Sequence, residues 1–459
     1  MTAPVHFIGL GGIGMSAIAR LLLAQGRAVS GSDQSDSEIM QELAALGAKT
    51  FVGHAATNVK DAGAVVVSTA IVASNPEIIQ ARELNLPIVH RSDLLRQLSK
   101  SYKMIAISGT HGKTTTTGLV SQVLIDCNFD PSVVVGGIFT KIGSNGRYGN
   151  GEYFVAEADE SDRTHADFAS FISVITNIEA DHLENYPGGL RQIKDVMISF
   201  ANKSKHAVVI CQDDPGCLAI MHEISARKIT YGRYSAHNAP IYQYESLEGG
   251  GMRVYKGREV LGELCLSVPG EHNKQNAVAA IAVAMEIGGK FEDIANSIAS
   301  FNGVNRRFQL IGTVNGIQVV DDYAHHPTEV VATLQAAKQY IKDPAHKLKR
   351  VVALFQPHQP GRLRDFWNDF VAAFSQADLV LLADVYIARG SAIEGINSEK
   401  LVHALKHANA HYLEGPATKL VSKILPHIKP GDLVITIGAG DITKVGPLLL
   451  EALKQQGSN

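Results

Sequence analysis

The stretch Met104–Thr117 runs from an apolar segment, Met104–Ile107, through a turn bounded by Gly109 and Gly112 into Lys113-Thr114-Thr115-Thr116-Thr117 and a helical pattern. Strand, glycine turn and helix in that order fix the local fold. The glycines let backbone N–H groups converge on phosphate oxygens, and the helix N-terminus adds positive dipole. The lysine adds a point charge and the threonine a magnesium ligand. The stretch Gly109-Thr110-His111-Gly112-Lys113-Thr114-Thr115 is therefore expected to hold a nucleotide triphosphate. Its spacing is unusual: the position six residues before the lysine, a glycine in the standard phosphate loop, is Ile107.

A second strand-turn-helix pattern opens the chain. Val5–Ile8 leads into Gly9-Leu10-Gly11-Gly12-Ile13-Gly14 and a helical run, and Val29–Asp33 ends in an acidic residue about 20 positions later. Taken alone, this says only that a ligand carrying phosphate and ribose binds. Further strand-like runs lie at Lys49–Val52, Ala64–Ser68 and Ile88–Val89. Beyond the polar stretch 99–103, others lie at Ser132–Val135, Glu152–Glu157 and Ser173–Asn177. Residues Tyr242–Leu266 alternate like antiparallel strands around Gly249–Gly251, and a helix is expected over Asn276–Ile287. Four more strands are expected at Gln318–Asp321, Val351–Phe355, Leu379–Ala383 and Leu433–Ile437. Strands alternating with helices predict an α/β chain with mostly parallel sheets. At 459 residues three domains are expected, over 1–99, 100–311 and 312–459, with hinges near Lys100 and Gly312.

A net charge of −3 gives no nucleic-acid footprint and no basic membrane patch. The four cysteines form no CxxC pair, and no apolar run approaches the roughly 20 residues of a membrane span, so the cytoplasm is the expected compartment.

Polar clusters follow several strands, where open α/β sheets place their ligands. Glu157-Ala158-Asp159-Glu160-Ser161-Asp162 offers carboxylates for magnesium, or a solvated loop with capping residues. Thr176–His182 brings a histidine to the same sheet edge. Pro269–Ala277 reads as a polar turn opening an alanine-rich helix, its amides able to read a base edge or to cap the helix. Arg306 and Arg307 offer guanidiniums for phosphoryl charge or a surface charge pair. Asp321-Asp322-Tyr323-Ala324-His325-His326 places two carboxylates and two histidines at one strand end, more than packing alone accounts for. The loop Phe355–Arg364 carries His358, Arg362 and Arg364 and is suited to a carboxylate. Gly438–Asp441 is the weakest of these segments, since its glycines serve the turn equally well.

Together GTHGKTTT, EADESD, TNIEADH, HNxxNA, RRF and DDYAHHPTE, in this order and across nearly the whole chain, resemble the Mur ligase family. These are the ATP-dependent amide-bond formers of peptidoglycan synthesis. The segment His6–Ser16, with the EADESD and DDYAHHPTE versions, is similar to the branch that joins L-alanine to the lactyl carboxylate of UDP-N-acetylmuramate. The resemblance implies a Rossmann-like N-terminal domain binding UDP, a central ATPase domain and a Rossmann-like C-terminal domain receiving the amino acid. It also implies ATP and Mg2+ as cofactors, a monomer or homodimer, and closure of the domains around three substrates. Position by position, it makes Lys113 the phosphate-loop lysine and Thr114, Glu157 and His182 the metal ligands. Asn276 becomes the adenine reader, Arg307 the γ-phosphate arginine and Asp322 the ribose contact. His325 and Arg362 serve the incoming amino acid. Gly11, Gly12, Ile13, Ser16, Asp33, His54, Thr69 and Arg91 line the sugar-nucleotide site.

One departure stands out. The family's third-domain loop reads FQPHRYSRTRD, and here an arginine and an aromatic residue are Gln359 and Pro360. This keeps open a recycling ligase that adds a preformed tripeptide to the same sugar nucleotide. Outside the family, a nicotinamide oxidoreductase leaves the Lys113 loop unexplained, and a non-catalytic nucleotide-binding regulator leaves the strand-end clusters unexplained.

Overall fold

The structure, a computed structural model, describes residues 3–161, 163–237, 239–388 and 391–456. The first sheet contains β1 (Val5–Ile8), β2 (Val29–Asp33), β3 (Lys49–Val52), β4 (Ala64–Val67) and β5 (Ile88–His90), ordered β3-β2-β1-β4-β5 and all parallel. Its central strand β1 is buried along its whole length, as a strand covered on both faces must be. The order reverses beside β1, which puts the glycine turn after β1 at the switch point of the sheet.

The second sheet contains β6 (Lys103–Ser108), β7 (Ser132–Phe139), β8 (Ser144–Arg147), β9 (Tyr153–Glu157) and β10 (Ile172–Ile175). It continues with β11 (Ala207–Cys211), β12 (Lys228–Arg233), β13 (Tyr242–Ser246), β14 (Gly251–Lys256) and β15 (Glu259–Cys265). The order is β15-β14-β13-β12-β11-β10-β6-β9-β7-β8, parallel from β13 to β7, with β14 and β15 antiparallel at one edge and β8 at the other. The strand β6 that feeds the phosphate loop therefore lies between β10 and β9, whose ends carry the two acidic clusters.

The third sheet contains β16 (Gln309–Val314), β17 (Ile317–Asp322), β18 (Arg350–Phe355), β19 (Leu379–Ala383), β20 (Ala410–Leu413) and β21 (Asp432–Ile437). Its order is β16-β17-β21-β18-β19-β20; β16 is antiparallel and the other pairs are parallel. Along β18, Val351, Ala353 and Phe355 enter the core on one face and Val352 and Leu354 the core on the other. The first two sheets belong to one compact unit, and the third sheet, with residues 266–274, belongs to another.

Strands β8, β11, β12, β16 and β20 were not among the sequence expectations. Gly312, expected to open the third domain, falls inside β16. The helix expected from Asn276 starts at Glu271, so the polar segment before it is already its first turn. Conversely, β10 stops at Ile175: Thr176 still donates to Ser108 at the end of β6, but its hydroxyl and the Asn177 side chain turn to the phosphate loop. Among the described residues no helix is long and apolar enough to cross a membrane.

Strand β8 packs on the helix Ile13–Ala24 of the first sheet. Asn145 donates to the Ile13 carbonyl and to Ser16 Oγ, and a Cβ on Gly146 would stand 2.6 Å from the Ala17 carbonyl oxygen. Backbone cannot yield as a side chain can, so Gly146→Ala is expected to cost about 1–3 kcal/mol. Gly361→Ala, with nothing within 4 Å of the added carbon, should stay within about 0.5 kcal/mol of the parent. Denaturant unfolding of both variants checks this; equal stabilities would contradict the packing.

Candidate functional site

The buried strand β6 delivers Gly109 with φ 135° and Gly112 with φ 80°, and the helix Lys113–Asp126 starts directly after. Both glycines are required, because a side chain is strained at these angles. A Cβ on Gly109 would also lie 2.1 Å from Thr176 Oγ1, and one on Gly112 would lie 2.8 Å from Asn276 Oδ1. Asn276 is thus packed against the loop. The loop is held from β10's end. Asn177 accepts from the His111 N–H at 2.8 Å and donates to the His111 carbonyl at 3.0 Å, Thr176 Oγ1 donates to that carbonyl at 2.6 Å, and the Glu179 N–H donates to Thr110 Oγ1. The sequence located this segment at the sheet edge but gave no sign that it clamps the loop.

Lys113 folds back over its own turn. Its Nζ donates to the carbonyls of Gly109 at 2.7 Å and Thr110 at 2.9 Å, and to Glu160 Oε1 at 2.9 Å. Burial pushes the ammonium pKa down, but Glu160, Glu157 and Asp159 outweigh it and the net shift is upward. Burial pushes the Glu160 carboxyl up to about 7, with Lys113 opposing and the Asp159 charge adding to the rise. Thr114 Oγ1 donates to Glu157 Oε2 at 2.9 Å, and the Gly136 N–H donates to the same oxygen at 3.1 Å. A Cβ on Gly136 would lie 2.3 Å from that oxygen, so the carboxylate depends on glycine for its room. Thr115 is buried in the same helix turn. His182 sits in left-handed backbone, φ 52°, with Asp181 3.7 Å and Glu184 3.8 Å from its ring nitrogens, near enough to Glu160 to favour that carboxyl's charged form. Asp162, the last acid of the cluster, lies outside the described residues. Oxygen donors converging from Thr114 and Glu157, with His182 nearby, suit a small hard cation.

At the first sheet the Gly11 N–H donates to Asp33 Oδ2 at 3.0 Å, so the acid that ends β2 braces the glycine turn. Gly12 caps the helix Ile13–Ala24 without a side-chain bond, and Ser16 Oγ donates to the Ile13 carbonyl. His54 joins a buried network that the sequence did not reveal. Ser32 Oγ stands 3.0 Å from His54 Nδ1 and donates to Glu77 Oε2 at 2.6 Å, while Asn58 donates to Glu77 Oε1. Burial raises the Glu77 pKa, yet hydrogen bonds from His6, Ser32 and Asn58 hold it below its ordinary value. In sequence Glu77 is simply an acid in the first turn of a helix, Pro76–Glu83. Thr69 is exposed beyond β4, and Arg91 opens the helix Arg91–Ser99.

In the third-sheet unit, the strand-end carboxylates have structural partners. Asp321 accepts from Thr436 Oγ1 at 2.5 Å and Thr443 Oγ1 at 2.7 Å. Asp322 accepts from the N–H groups of Phe308 and Ala324 at 2.8 Å and from Thr333 Oγ1 at 3.2 Å; burial lifts its carboxyl to about 6, with Arg307 opposing. Hydroxyls and amides thus meet both acids as they turn inward. Arg306 donates to the Gly438 carbonyl at 2.6 Å, and both guanidiniums lie over Tyr323, at 4.7 Å for Arg306 and 5.3 Å for Arg307. His326 and Glu329 form the capping box of the helix Pro327–Tyr340. His325 Nδ1 lies 3.0 Å from the Tyr323 carbonyl and 3.4 Å from Glu329, with the His358 ring 6.0 Å away. His358 stacks on Tyr386, and backbone bonds between Gln359 and Tyr386 and between Tyr386 and Pro357 fix that pair. Tyr386 carried no sequence signal. Arg362 lies in the short helix Pro360–Asp365, where exposed Arg364 pairs with Asp365.

Three family models match in succession: the Mur ligase family catalytic domain over residues 4–103, the Mur ligase middle domain over 107–284, and the Mur ligase glutamate ligase domain over 306–440. The chain is 43% identical to the UDP-N-acetylmuramate–L-alanine ligase of Geotalea daltonii over 98% of each chain, and 42% identical to that of Geobacter sulfurreducens with the same coverage. The crystal structure of UDP-N-acetylmuramate-alanine ligase from Thermotoga maritima superposes with a TM-score of 0.84 at 31% identity, covering 99% of this chain and 100% of that one. A murein peptide ligase from Psychrobacter arcticus shares the fold, with a TM-score of 0.71 at 23% identity over 98% of each chain.

Burial, with Arg307 adding to it, pulls His272 from its ordinary 6.5 down to about 4. Below pH 6.5 the unfolded chain takes up a proton that the folded chain refuses until about pH 4. Stability is therefore lost as pH falls through this window, by on the order of 2 kcal/mol once partial exposure is allowed for. His272→Gln should flatten unfolding free energy against pH between 6.5 and 4. An unchanged slope would contradict the buried neutral ring.

Proposed function

The chain belongs to the Mur ligase family, and on that premise we propose that it joins L-alanine to the lactyl carboxylate of UDP-N-acetylmuramate, with cleavage of ATP to ADP and phosphate. The observation that carries the ATP half is the loop itself, with a buried lysine amine and a Thr114–Glu157 oxygen pair side by side at the start of one helix. The acceptor half rests on the alanine ligases that the chain resembles over nearly its full length.

A carboxylate does not acylate an amine in water, so it must first be activated. The triphosphate takes the place of Glu160 and the loop carbonyls around Lys113 Nζ. The exchange swaps one set of oxygen partners for another and never leaves the ammonium bare. Thr114, Glu157 and His182 would hold a magnesium ion, whose charge against the phosphate oxygens supplies electrostatic stabilisation. The lactyl carboxylate oxygen forms a bond to the γ-phosphorus as the bond to the ADP oxygen breaks, giving an acyl phosphate. Arg307 is the cation for the transferring group, a role suited to a guanidinium. The amine of alanine then attacks the acyl carbon, and phosphate leaves with the bonding electrons. That amine must be neutral. The Tyr323 carbonyl can only accept, so its contact puts the proton of neutral His325 on Nδ1. This makes Nε2 the acceptor for the proton that alanine gives up. ATP and the sugar nucleotide as substrates suit a cytoplasmic enzyme.

The replacement of an arginine and an aromatic residue by Gln359 and Pro360 favours a second reading, the addition of a preformed tripeptide to the same sugar nucleotide. Phosphate release with ATP, magnesium and UDP-N-acetylmuramate, against L-alanine, glycine, L-serine and the tripeptide, separates the two. L-alanine is expected to give the highest kcat/KM, and a preference for tripeptide would replace this reading with the second.

Lys113→Gln keeps a donor for Glu160 while removing the charge, and is expected to lower ligation at least about 100-fold with folding intact. Near-normal turnover would remove the phosphate-loop assignment. His182→Ala should move the magnesium titration to higher concentration, and an unchanged titration would count against its role as a ligand.

A further inference from the structure

Arg91 touches two places that the reaction has to coordinate. It stands at the start of the helix Arg91–Ser99, where β5 leaves the first sheet. Its Nη2 donates to Asp159 Oδ2 at 2.9 Å, across from the first sheet to the end of β9. On its other side, Nη1 would lie 2.7 Å from a Cβ built on Gly14, so the guanidinium sits against the first turn of the helix that follows the glycine turn. A planar guanidinium has donors pointing in several fixed directions, so it can serve both sides at once.

Asp159 carries the contact onward. Its Oδ1 accepts the Ser161 N–H, which fixes the course of the chain through Glu160, and Glu160 holds the Lys113 ammonium at 2.8 Å. Asp159 thus meets the Arg91 guanidinium through Oδ2 and the Ser161 N–H through Oδ1, one carboxyl group joining the two segments. A second strut runs nearby: Asn145 on β8 donates to the Ile13 carbonyl and to Ser16, so the same helix start is tied to the central sheet twice.

We infer that Arg91 is a positioning residue that couples the sugar-nucleotide turn to the phosphate-loop lysine through Asp159 and Glu160. This rests on the functional reading above together with the family resemblance, which implies that the anionic sugar nucleotide binds at the turn carrying Gly11, Gly12 and Ile13. An anionic group arriving there accepts from Nη1 while Nη2 keeps Asp159. Arg91 is then ordered from both sides, and the Asp159–Glu160 stretch is set for the exchange in which the triphosphate takes over Lys113. Occupation of one site thereby tightens the other, and linkage makes the effect reciprocal.

The test is a binding cycle on the full-length protein by calorimetry. The affinity of β,γ-imido-ATP with magnesium is measured with and without saturating UDP-N-acetylmuramate, in the wild type, Asp159→Asn and Arg91→Lys. In the wild type the sugar nucleotide is expected to tighten the ATP analogue by about fivefold or more, the lower end of typical coupling between sites. Asp159→Asn keeps the acceptor for the Ser161 N–H but loses the charge, and its ratio should fall toward one. Arg91→Lys keeps a cation but lacks the fork, and it too should lose the ratio while still binding the sugar nucleotide. A purely structural role would weaken both ligands and leave the ratio unchanged, so an unchanged ratio in both variants overturns the coupling. A wild-type ratio of one overturns it as well. Failure of the wild type to bind UDP-N-acetylmuramate overturns both the coupling and the functional reading, whereas binding of both ligands with unaltered ratios leaves that reading standing.

Discussion

The structure is organised around a buried ammonium. Lys113 Nζ lies among the Gly109 and Thr110 carbonyls and the Glu160 carboxylate. Removing one partner from a buried ion pair typically costs about 3–5 kcal/mol. That is a large share of the stability of an ordinary domain, so whatever displaces Glu160 must bring oxygens of its own. Much of the surrounding structure serves to hold the turn in which that ammonium lies. Thr176 and Asn177 leave their strand early to clamp His111. The glycines accept angles closed to other residues, and Asp159 is charged so that Glu160 is not alone beside the lysine.

Strand ends carry carboxylates in all three sheets, yet the acids do different things. Asp33 braces a glycine turn, Asp321 and Asp322 are satisfied by hydroxyls and amides of their own unit, and Glu157 shares an oxygen with Thr114 and a backbone amide. The position of these acids was legible in the sequence, because apolar runs followed by polar clusters mark strand ends in open α/β sheets. Their use was not, because it depends on which donors a remote strand or helix supplies. Thr436 and Thr443 lie more than 100 residues from Asp321, and nothing local announces them. The three sheets and the phosphate loop were readable for the opposite reason. Each is written in a contiguous segment, by period and by glycine placement. Strand β8 escaped because Ser144-Asn145-Gly146-Arg147 holds no apolar residue to mark it. The buried Glu77 and the ring pair His358–Tyr386 escaped because their partners are set by tertiary contacts.

The loop after β18 shows how two replaced residues reshape a turn. Gln359 adopts φ 69°, and Pro360 starts a helix whose third residue is Arg362. Proline fixes its own backbone angle and suits a helix start, so the change from the usual arginine and aromatic pair exchanges side-chain function for a rigid turn. The turn is further held by backbone bonds to Tyr386, whose ring covers His358. Arg362 and Arg364 stay on the helix that this turn starts, so both remaining guanidiniums are carried on a preset frame.

The hairpin of β7 and β8 unites these observations. At one point its Gly136 N–H donates to Glu157; at another Asn145 bonds the helix start of the first sheet, and Gly146 leaves room for the Ala17 carbonyl. Strand β7 has eight residues, but its register against β8 shifts between Val134 and Phe139 and its pairing with β9 ends at Val134, so Gly136 falls in the irregular stretch. There its N–H turns to the Glu157 carboxylate in place of a ladder partner. Glu157 has little freedom at that point, because a carbon added at Gly136 would collide with its carboxyl group. One hairpin thus meets both the Glu157 carboxylate and the helix that follows the first glycine turn, and in each place a glycine makes the close approach possible.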